Sequence, residues 1–261
     1  MKILSLCPSN TELMEYLGFT HMLAGVDDYS DWPEPINTLP RLGPDLSINM
    51  DKAEKLNPDL VLASLSVPGM EKNVEELKRR QIPHIVLNPQ SLADIEHDLI
   101  AVAEKIGKPE AGISAAKSVR TKIDALQKIS STLDIKPSLY WEWWPKPVFT
   151  PGQVNWLTEI SEIAGAVNLF SDVELASVQT DWNDILERNP DYICLAWVGV
   201  RREKVKPEIV LKRPGWSGLK AVKQGKILVL EEELYCRPSP RLIEGAVRLA
   251  KKIHPDEFSA L

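Results

Sequence analysis

Three sets of residues could carry chemistry. Cys7 stands just before a run that reads as a helix start, a setting that can activate a thiol, but no histidine is spaced to pair with it. Asp27, Asp28 and Asp31 gather carboxylates in one short loop, which suits either a divalent cation or a solvated acidic turn. The third set is aromatic. Pro8, Ser9, Tyr29 and Trp32 fall in the first half, and Trp141, Trp143, Trp144, Trp197 and Tyr235 in the second. Asp28, Ser30, Asp31, Glu142, Glu233 and Arg237 lie among them. Flat rings with a few fixed polar groups suit a bulky planar ligand with a polar fringe. Each tryptophan also has the alternative of serving the core. For Trp141–Trp144, strand alternation exposes some of the rings, and Pro145 and Pro147 are expected to keep the loop out of the sheet.

Catalytic templates are missing. The chain has no G-x-S-x-G elbow, GxxxxGK[ST], GxGxxG or HExxH. His21, His84, His97 and His254 are scattered, which speaks against a three-histidine metal site. No catalytic residue, catalytic cofactor or resident metal is assigned.

The elements that must position these residues read as alternating strands and helices, which favours parallel βαβ winding. Strands are expected at 2–6, 22–26, 60–63, 84–87, 138–141, 192–196 and 227–230. Helices are expected from Ser9 to Leu17, with the side chains of Ser9 to Glu12 as caps, and at 48–56, 71–80, 92–106, 155–164, 182–188 and 239–253. Near the middle, Ile113, Ala116, Val119, Ile123 and Leu126 form one apolar stripe on a helix that Pro109 can start. That helix is read as a strut between two lobes rather than an ordinary surface helix, because the pattern repeats across it. Thr11-Glu-Leu-Met-Glu-Tyr-Leu-Gly18 echoes Thr158-Glu-Ile-Ser-Glu-Ile-Ala-Gly165, and Asn57-Pro58-Asp59 before a strand echoes Asn189-Pro190-Asp191 before a strand. The expected architecture is α/β: two similar Rossmann-like lobes, residues 1–108 and 135–261, joined by a backbone helix over 109–134, with a ligand cleft between them.

Bulk properties narrow the function. A chain of 261 residues with 44% apolar content can fill two lobes, and a net charge of −6 without a basic block argues against nucleic acid. Cys7, Cys194 and Cys236 are too widely spaced for a disulfide framework or a zinc site. No apolar run is long enough to insert in a membrane. The chain as given is expected to be a cytoplasmic monomer, or periplasmic or cell-surface if a leader has been removed.

With LSLCPSNTEL (4–13), GVDDYSDWP (25–33), NMDKAEKLNPDLVLAS (49–64), VFTPG (148–152), the NPD and strand at 189–196, PGW (214–216) and RPSPR (237–241) in this order, the sequence resembles the cobalamin-binding proteins of ABC importers. These are class III periplasmic binding proteins, two lobes on one helical backbone. The resemblance implies a corrinoid held between the lobes and an ABC permease as partner. It assigns Pro8, Ser9, Tyr29, Trp141, Trp143, Glu233 and Arg237 to the ligand. Trp32, Trp144, Trp197 and Tyr235 join them from the aromatic argument. Family members present one glutamate per lobe to the permease; here Asp51 and Asn183 stand at those positions, with Asp184 adjacent. An aromatic that relatives carry before the helix at 48–56 is replaced by Asp45 and Leu46. Haem or a ferric siderophore on the same fold is one alternative. An enzyme using Cys7 or the loop from Asp27 to Asp31 is another.

Overall fold

The first apolar run becomes β1 (Ile3–Ser5), fully buried at the centre of a parallel sheet. Its companions are β2 (Leu23–Val26), β3 (Leu60–Ser64) and β4 (His84–Leu87), in the order β2-β1-β3-β4. The crossovers carry α1 (Pro8–Tyr16), α2 (Met50–Lys55), α3 (Glu71–Arg79) and α4 (Leu92–Lys105). The computed structural model describes residues 1–261. These fall into two compact units, one of residues 1–120 with 238–240 and the other of 121–237 with 241–261.

The long helix α5 (Pro109–Ser130) joins the two lobes. Ala116, Val119, Ile123 and Leu126 of its stripe are buried, whereas Ile113, the expected first member, is half exposed. At that end α5 approaches α4 through Gly112. A Cβ there would lie 2.6 Å from Ala103 Cβ, 2.9 Å from Ile100 Cα and 2.9 Å from the Leu99 carbonyl oxygen. Helix propensity alone would favour alanine by about 1 kcal/mol. Two of the three obstacles are backbone, so the clash wins. Gly112→Ala is expected to destabilise the protein by about 1–3 kcal/mol in urea unfolding. An unchanged or raised midpoint would show that the two helices separate freely.

The second lobe repeats the first. Its parallel sheet contains β5 (Ser138–Glu142), β8 (Val167–Asn168), β10 (Tyr192–Leu195) and β11 (Ile227–Val229), in the order β11-β10-β5-β8. Counting strands in chain order within each sheet, both read 2-1-3-4. The echoed motifs share backbone geometry as well. Gly18 and Gly165 both end their helices at φ 79°, and Asn57 and Asn189 sit at φ 47° and 46°. Glycine and asparagine are the residues that tolerate this left-handed region. The helices here are α6 (Trp156–Ile163), α7 (Trp182–Arg188), α8 (Glu208–Leu211), α9 (Lys220–Lys223), α10 (Glu232–Tyr235) and α11 (Leu242–Ile253). No helix is long and apolar enough to cross a membrane.

Two local expectations are corrected. The side chains of Ser9 to Glu12 do not cap α1. Cys7 is the N-cap and makes no side-chain capping bond, while Asn10 Nδ2 reaches across to the Leu62 and Ala63 carbonyls, each at 3.1 Å. The polar cluster ties the helix to β3 instead of closing its end. The segment after β5 is also not a free loop. β6 (Trp144–Pro145) pairs with β7 (Val148–Pro151), which pairs antiparallel with β9 (Ser177–Thr180). Proline is tolerated because β6 is an edge strand with pairing on one side only.

Candidate functional site

In open parallel sheets, ligands gather at the carboxyl ends of the strands. In the first unit that end is built on a buried polar relay. Thr11 Oγ1 lies 2.8 Å from both Ser5 Oγ and Ser30 Oγ, and Ser30 Oγ donates to Asp27 Oδ1 at 2.5 Å. Asp27 Oδ2 accepts from the main-chain N–H groups of Tyr29 and Ser30, at 2.7 and 3.1 Å. Arg41 Nη1 donates to the Asp27 and Ser30 carbonyls, and Asp28 Oδ1 accepts from the Gly43 N–H. The result is a pinned turn after β2 that presents Tyr29, 55% exposed. Trp32 follows, half-buried and 6.1 Å from the Tyr16 ring. Pro8 is half-buried at the start of α1, while Ser9 is buried with its Oγ 3.3 Å from Cys7 Sγ.

This geometry changes the chemistry assigned to the loop. Burial pushes the Cys7 thiol up to about 12, so it is protonated at neutral pH and no nucleophile there. Asp27 and Asp28 serve their own turn rather than an ion, and no three His, Cys, Asp or Glu are gathered that could hold a metal.

Asp27 is fully buried, and burial pushes its carboxyl up to about 6, with the Asp45 charge adding to the rise and the Ser30 and Tyr29 hydrogen bonds opposing it. A folded-state value above the unfolded one means that the native protein holds this proton more tightly. Stability from this group therefore grows as pH falls from about 6 towards 4 and is lost as pH rises. Relative to Asp27→Asn, which has no such proton, the wild type is expected to gain on the order of 3 kcal/mol between pH 7 and pH 4. Urea unfolding of both proteins across that range measures it, and parallel pH curves would contradict the assignment.

The second unit presents its aromatics differently. Trp141 and Tyr235 are fully buried core residues, not open rings. The Trp141 Nε1 donates to Ser161 Oγ at 2.9 Å, the two rings lie 5.5 Å apart, and the Tyr235 hydroxyl donates to the Gly245 carbonyl. Both faces of β5 are covered, and Tyr235 of α10 packs on Trp141, so neither ring is open to solvent. Trp143, next along the chain, is half-buried 5.8 Å from Trp156, and its indole N–H has no acceptor in the protein. Trp144 is 44% exposed, and its Nε1 donates to the Lys146 carbonyl. Trp197 is 9% exposed and donates to Glu142 Oε1 at 3.1 Å.

Glu142 is likewise no cleft-lining acid. It is completely buried and takes a bidentate bond from Arg213, at 2.5 and 2.7 Å, together with the Tyr140 hydroxyl at 2.8 Å. The Arg213 guanidinium lies over Trp216 at 4.4 Å and Trp182 at 5.1 Å. A buried charge survives only when paired and hydrogen-bonded, and these donors fill the carboxylate. Sequence inspection picked out Glu142 but not Arg213, whose one signal was its place beside the PGW motif.

Glu233 is half-buried on α10. Arg237 is largely buried, and its Nε donates to Glu232 Oε2 at 3.0 Å; burial raises the Glu232 carboxyl even beside that cation. At the docking positions, Asp51 is exposed but bonded to Arg80 at 2.7 Å. Asp184 accepts from Thr180 and Arg188, and Asn183 is exposed and uncharged. None of the three is a free carboxylate.

Comparison with known proteins accords with this architecture. A family model described as periplasmic binding protein matches residues 3–234. An uncharacterised ABC transporter substrate-binding lipoprotein of Bacillus subtilis, YvrC, is 31% identical over 262 residues, covering 98% of this chain and 81% of its own. A vitamin B12-binding protein of Vibrio cholerae is 27% identical over 247 residues, 94% of this chain and 86% of its own. The crystal structure of the periplasmic vitamin B12 binding protein BtuF of V. cholerae has a TM-score of 0.80 at 24% identity, over 98% of each chain. The periplasmic haem-binding protein RhuT of Roseiflexus sp. RS-1 has a TM-score of 0.84 at 21% identity, over 98% of each chain.

Proposed function

The chain belongs to the periplasmic binding protein family, and on that premise we propose that it is a non-catalytic receptor holding cobalamin or a related corrinoid for an ABC permease. The observation that carries this reading is the set of rings left over at the carboxyl ends of the two parallel sheets. Tyr29 in one unit and Trp144 in the other are exposed, and Trp32 and Trp143 beside them are half-buried. A bound corrinoid draws on these rings, with Pro8, Glu233 and Arg237 as its polar and shape-setting contacts. The sequence relatives named for vitamin B12 binding span nearly the whole chain, which supports the same choice.

Haem is the second reading, and Tyr29 is what favours it. Protein-bound haem takes an axial ligand such as His or Tyr. The histidines are elsewhere: His84 opens β4 at its amino end against the Ile82 carbonyl, His254 follows α11 against the Gly165 carbonyl, and His21 and His97 are exposed. A phenol on an exposed turn is then the available ligand, whereas a corrinoid carrying its own base needs none. A ferric siderophore calls for converging cations, and Arg237 is already paired with Glu232.

Thermal melting with cyanocobalamin, cobinamide, haemin and a ferric hydroxamate separates these readings. Corrinoid at a hundredfold excess over Kd is expected to stabilise the fold by about 2.7 kcal/mol and raise the Tm accordingly. A shift with haemin alone transfers the site to haem. No shift with any of the four ends the ligand assignment.

A further inference from the structure

Ser5, Thr11, Asp27 and Ser30 are all buried, and their side-chain oxygens stand in one line that ends on the Cys7 carbonyl. Asp27 Oδ1 lies 2.5 Å from Ser30 Oγ, Ser30 Oγ 2.8 Å from Thr11 Oγ1, Thr11 Oγ1 2.8 Å from Ser5 Oγ, and Ser5 Oγ 3.1 Å from the Cys7 carbonyl oxygen. That is five oxygens and four contacts, and each contact needs one proton. The three hydroxyls supply three, and a carbonyl supplies none. An ionised Asp27 supplies none either. One contact then sets two acceptors face to face away from bulk solvent, which costs free energy. A protonated Asp27 supplies the fourth proton, and every contact becomes a hydrogen bond, running from Asp27 through Ser30, Thr11 and Ser5 to Cys7. The longer approach of Thr11 Oγ1 to the same carbonyl, 3.4 Å, adds an acceptor but no proton.

Both ends of this line bear on the edge of the first unit. Asp27 Oδ2 accepts from the N–H groups of Tyr29 and Ser30 and so fixes the turn that carries Tyr29. The Cys7 carbonyl belongs to the N-cap of α1, directly before Pro8. When Asp27 ionises, its oxygen keeps the Ser30 proton, because a charged acceptor makes the stronger bond. Thr11 then donates to Ser30, and Ser5 to Thr11. The open contact moves to the far end, where Ser5 Oγ faces the Cys7 carbonyl at the longest of the four distances. The charge state of Asp27 is thereby passed along the hydroxyls to the start of α1.

We propose that Asp27 carries a proton that orients all three hydroxyls toward the Cys7 carbonyl, and that corrinoid affinity depends on this proton because the relay positions both Tyr29 and Pro8. The coupling to ligand rests on the proposed corrinoid function, whereas the relay does not. Burial pushes the Asp27 carboxyl up to about 6, in the direction the missing proton requires. Of the other charged and titratable groups around it, the Asp45 carboxylate also favours the proton, and the Cys7 thiol stays protonated at acid and neutral pH. The Arg41 guanidinium bonds the Asp27 and Ser30 carbonyls, Asp28 is held on the Gly43 N–H, and Glu12 of α1 accepts from Ser239.

Carbon-13 NMR of the Asp27 carboxyl tests the relay in the ligand-free protein. Wild type is expected to titrate at about pH 6. Thr11→Val has nearly the shape of threonine but divides the line into two separate contacts, each with its own proton. Its midpoint is expected about one pH unit lower, a tenfold weaker hold on the proton. Thr11→Ser keeps the hydroxyl and should titrate with wild type. Ser5→Ala shortens the line beyond Thr11 and should lower the midpoint as well. Equal midpoints in wild type, Thr11→Val and Ser5→Ala would show that burial alone raises the acid, and would overturn the relay. Calorimetric titration with cyanocobalamin between about pH 5 and pH 8 tests the coupling. Wild-type affinity is expected to fall about tenfold as pH rises, with proton uptake on binding above about pH 6. Asp27→Asn, whose amide donates to Ser30 at every pH, should give a flat profile. A flat wild-type profile would overturn the coupling. Wild-type protein that binds no corrinoid at any pH would remove the proposed function, and the NMR midpoints would still decide the relay.

Discussion

Replacing Trp141 by alanine is expected to cost about 3–5 kcal/mol of stability, the range for emptying a large aromatic site in a closed core. The ring is 0% exposed, lies 5.5 Å from Tyr235 and donates to Ser161 Oγ. Ser161 in turn donates to the Leu157 carbonyl at 2.6 Å, so α6 is tied to β5 through this indole. Trp141→Phe separates packing from the hydrogen bond. Its cost is expected at about 1–3 kcal/mol, because the smaller ring leaves part of the volume empty. Corrinoid affinity of the folded Phe variant is expected to stay within about twofold, since no ring face is open to a ligand. Urea unfolding and a cobalamin titration of the same samples measure the two effects. Loss of affinity at unchanged stability would return Trp141 to the ligand.

Tyr29 should behave in the opposite way. It stands 55% exposed on a turn held by Asp27, Ser30 and Arg41, none of which depends on its side chain. Tyr29→Ala is expected to leave the urea midpoint within about 0.5 kcal/mol, as for surface changes that break no cap or core contact. Cobalamin affinity is expected to fall by about thirtyfold, the scale of an aromatic anchor worth roughly 2 kcal/mol. Tyr29→Phe keeps the ring and should keep most of the affinity for a corrinoid. Haem ligated through the phenol would instead lose its coordination band with that variant. A Tyr29→Ala protein that binds cobalamin like wild type would remove the residue from the site.

The pair shows what the sequence could and could not reveal. Both residues are aromatic, Trp141 near the end of β5 and Tyr29 in the turn after β2, and the resemblance assigns both to the ligand. Alternation says only that Trp141 and Glu142 point to opposite faces of β5. It does not say that both faces are covered. Here one face is closed by α6 and Tyr235, the other by Arg213 with Trp197 and Trp216. Arg213 is 71 residues away from Glu142, and no local pattern announces such a partner. From the sequence Asp27 reads as a solvated or ion-binding acid, because its neighbours are acidic. Its burial follows from Ser5, Thr11 and Ser30 converging on it, again a long-range event.

Where the signal is local, the reading held. The two left-handed asparagines, Asn57 and Asn189, lie in the paired NPD motifs, and Gly18 and Gly165 end the paired helices. Periodicity placed α3, α4 and α7 to within a residue or two and identified α5. The short strands β8 and β9 and the helices α8 to α10 had no such signature. Two to four residues cannot establish a period, and their positions are fixed by what they pair or pack with.

The central claim is that the chain holds one corrinoid and that the Tyr29 and Trp143 rings contribute to its affinity. Its most direct test is a calorimetric titration of the purified protein with cyanocobalamin, followed in parallel by tryptophan emission. The account predicts saturation at one corrinoid per chain, quenched emission, and weakened binding when either Tyr29 or Trp143 is replaced by alanine. Absence of heat and of quenching would contradict it, and so would saturable binding that depends on only one of the two residues.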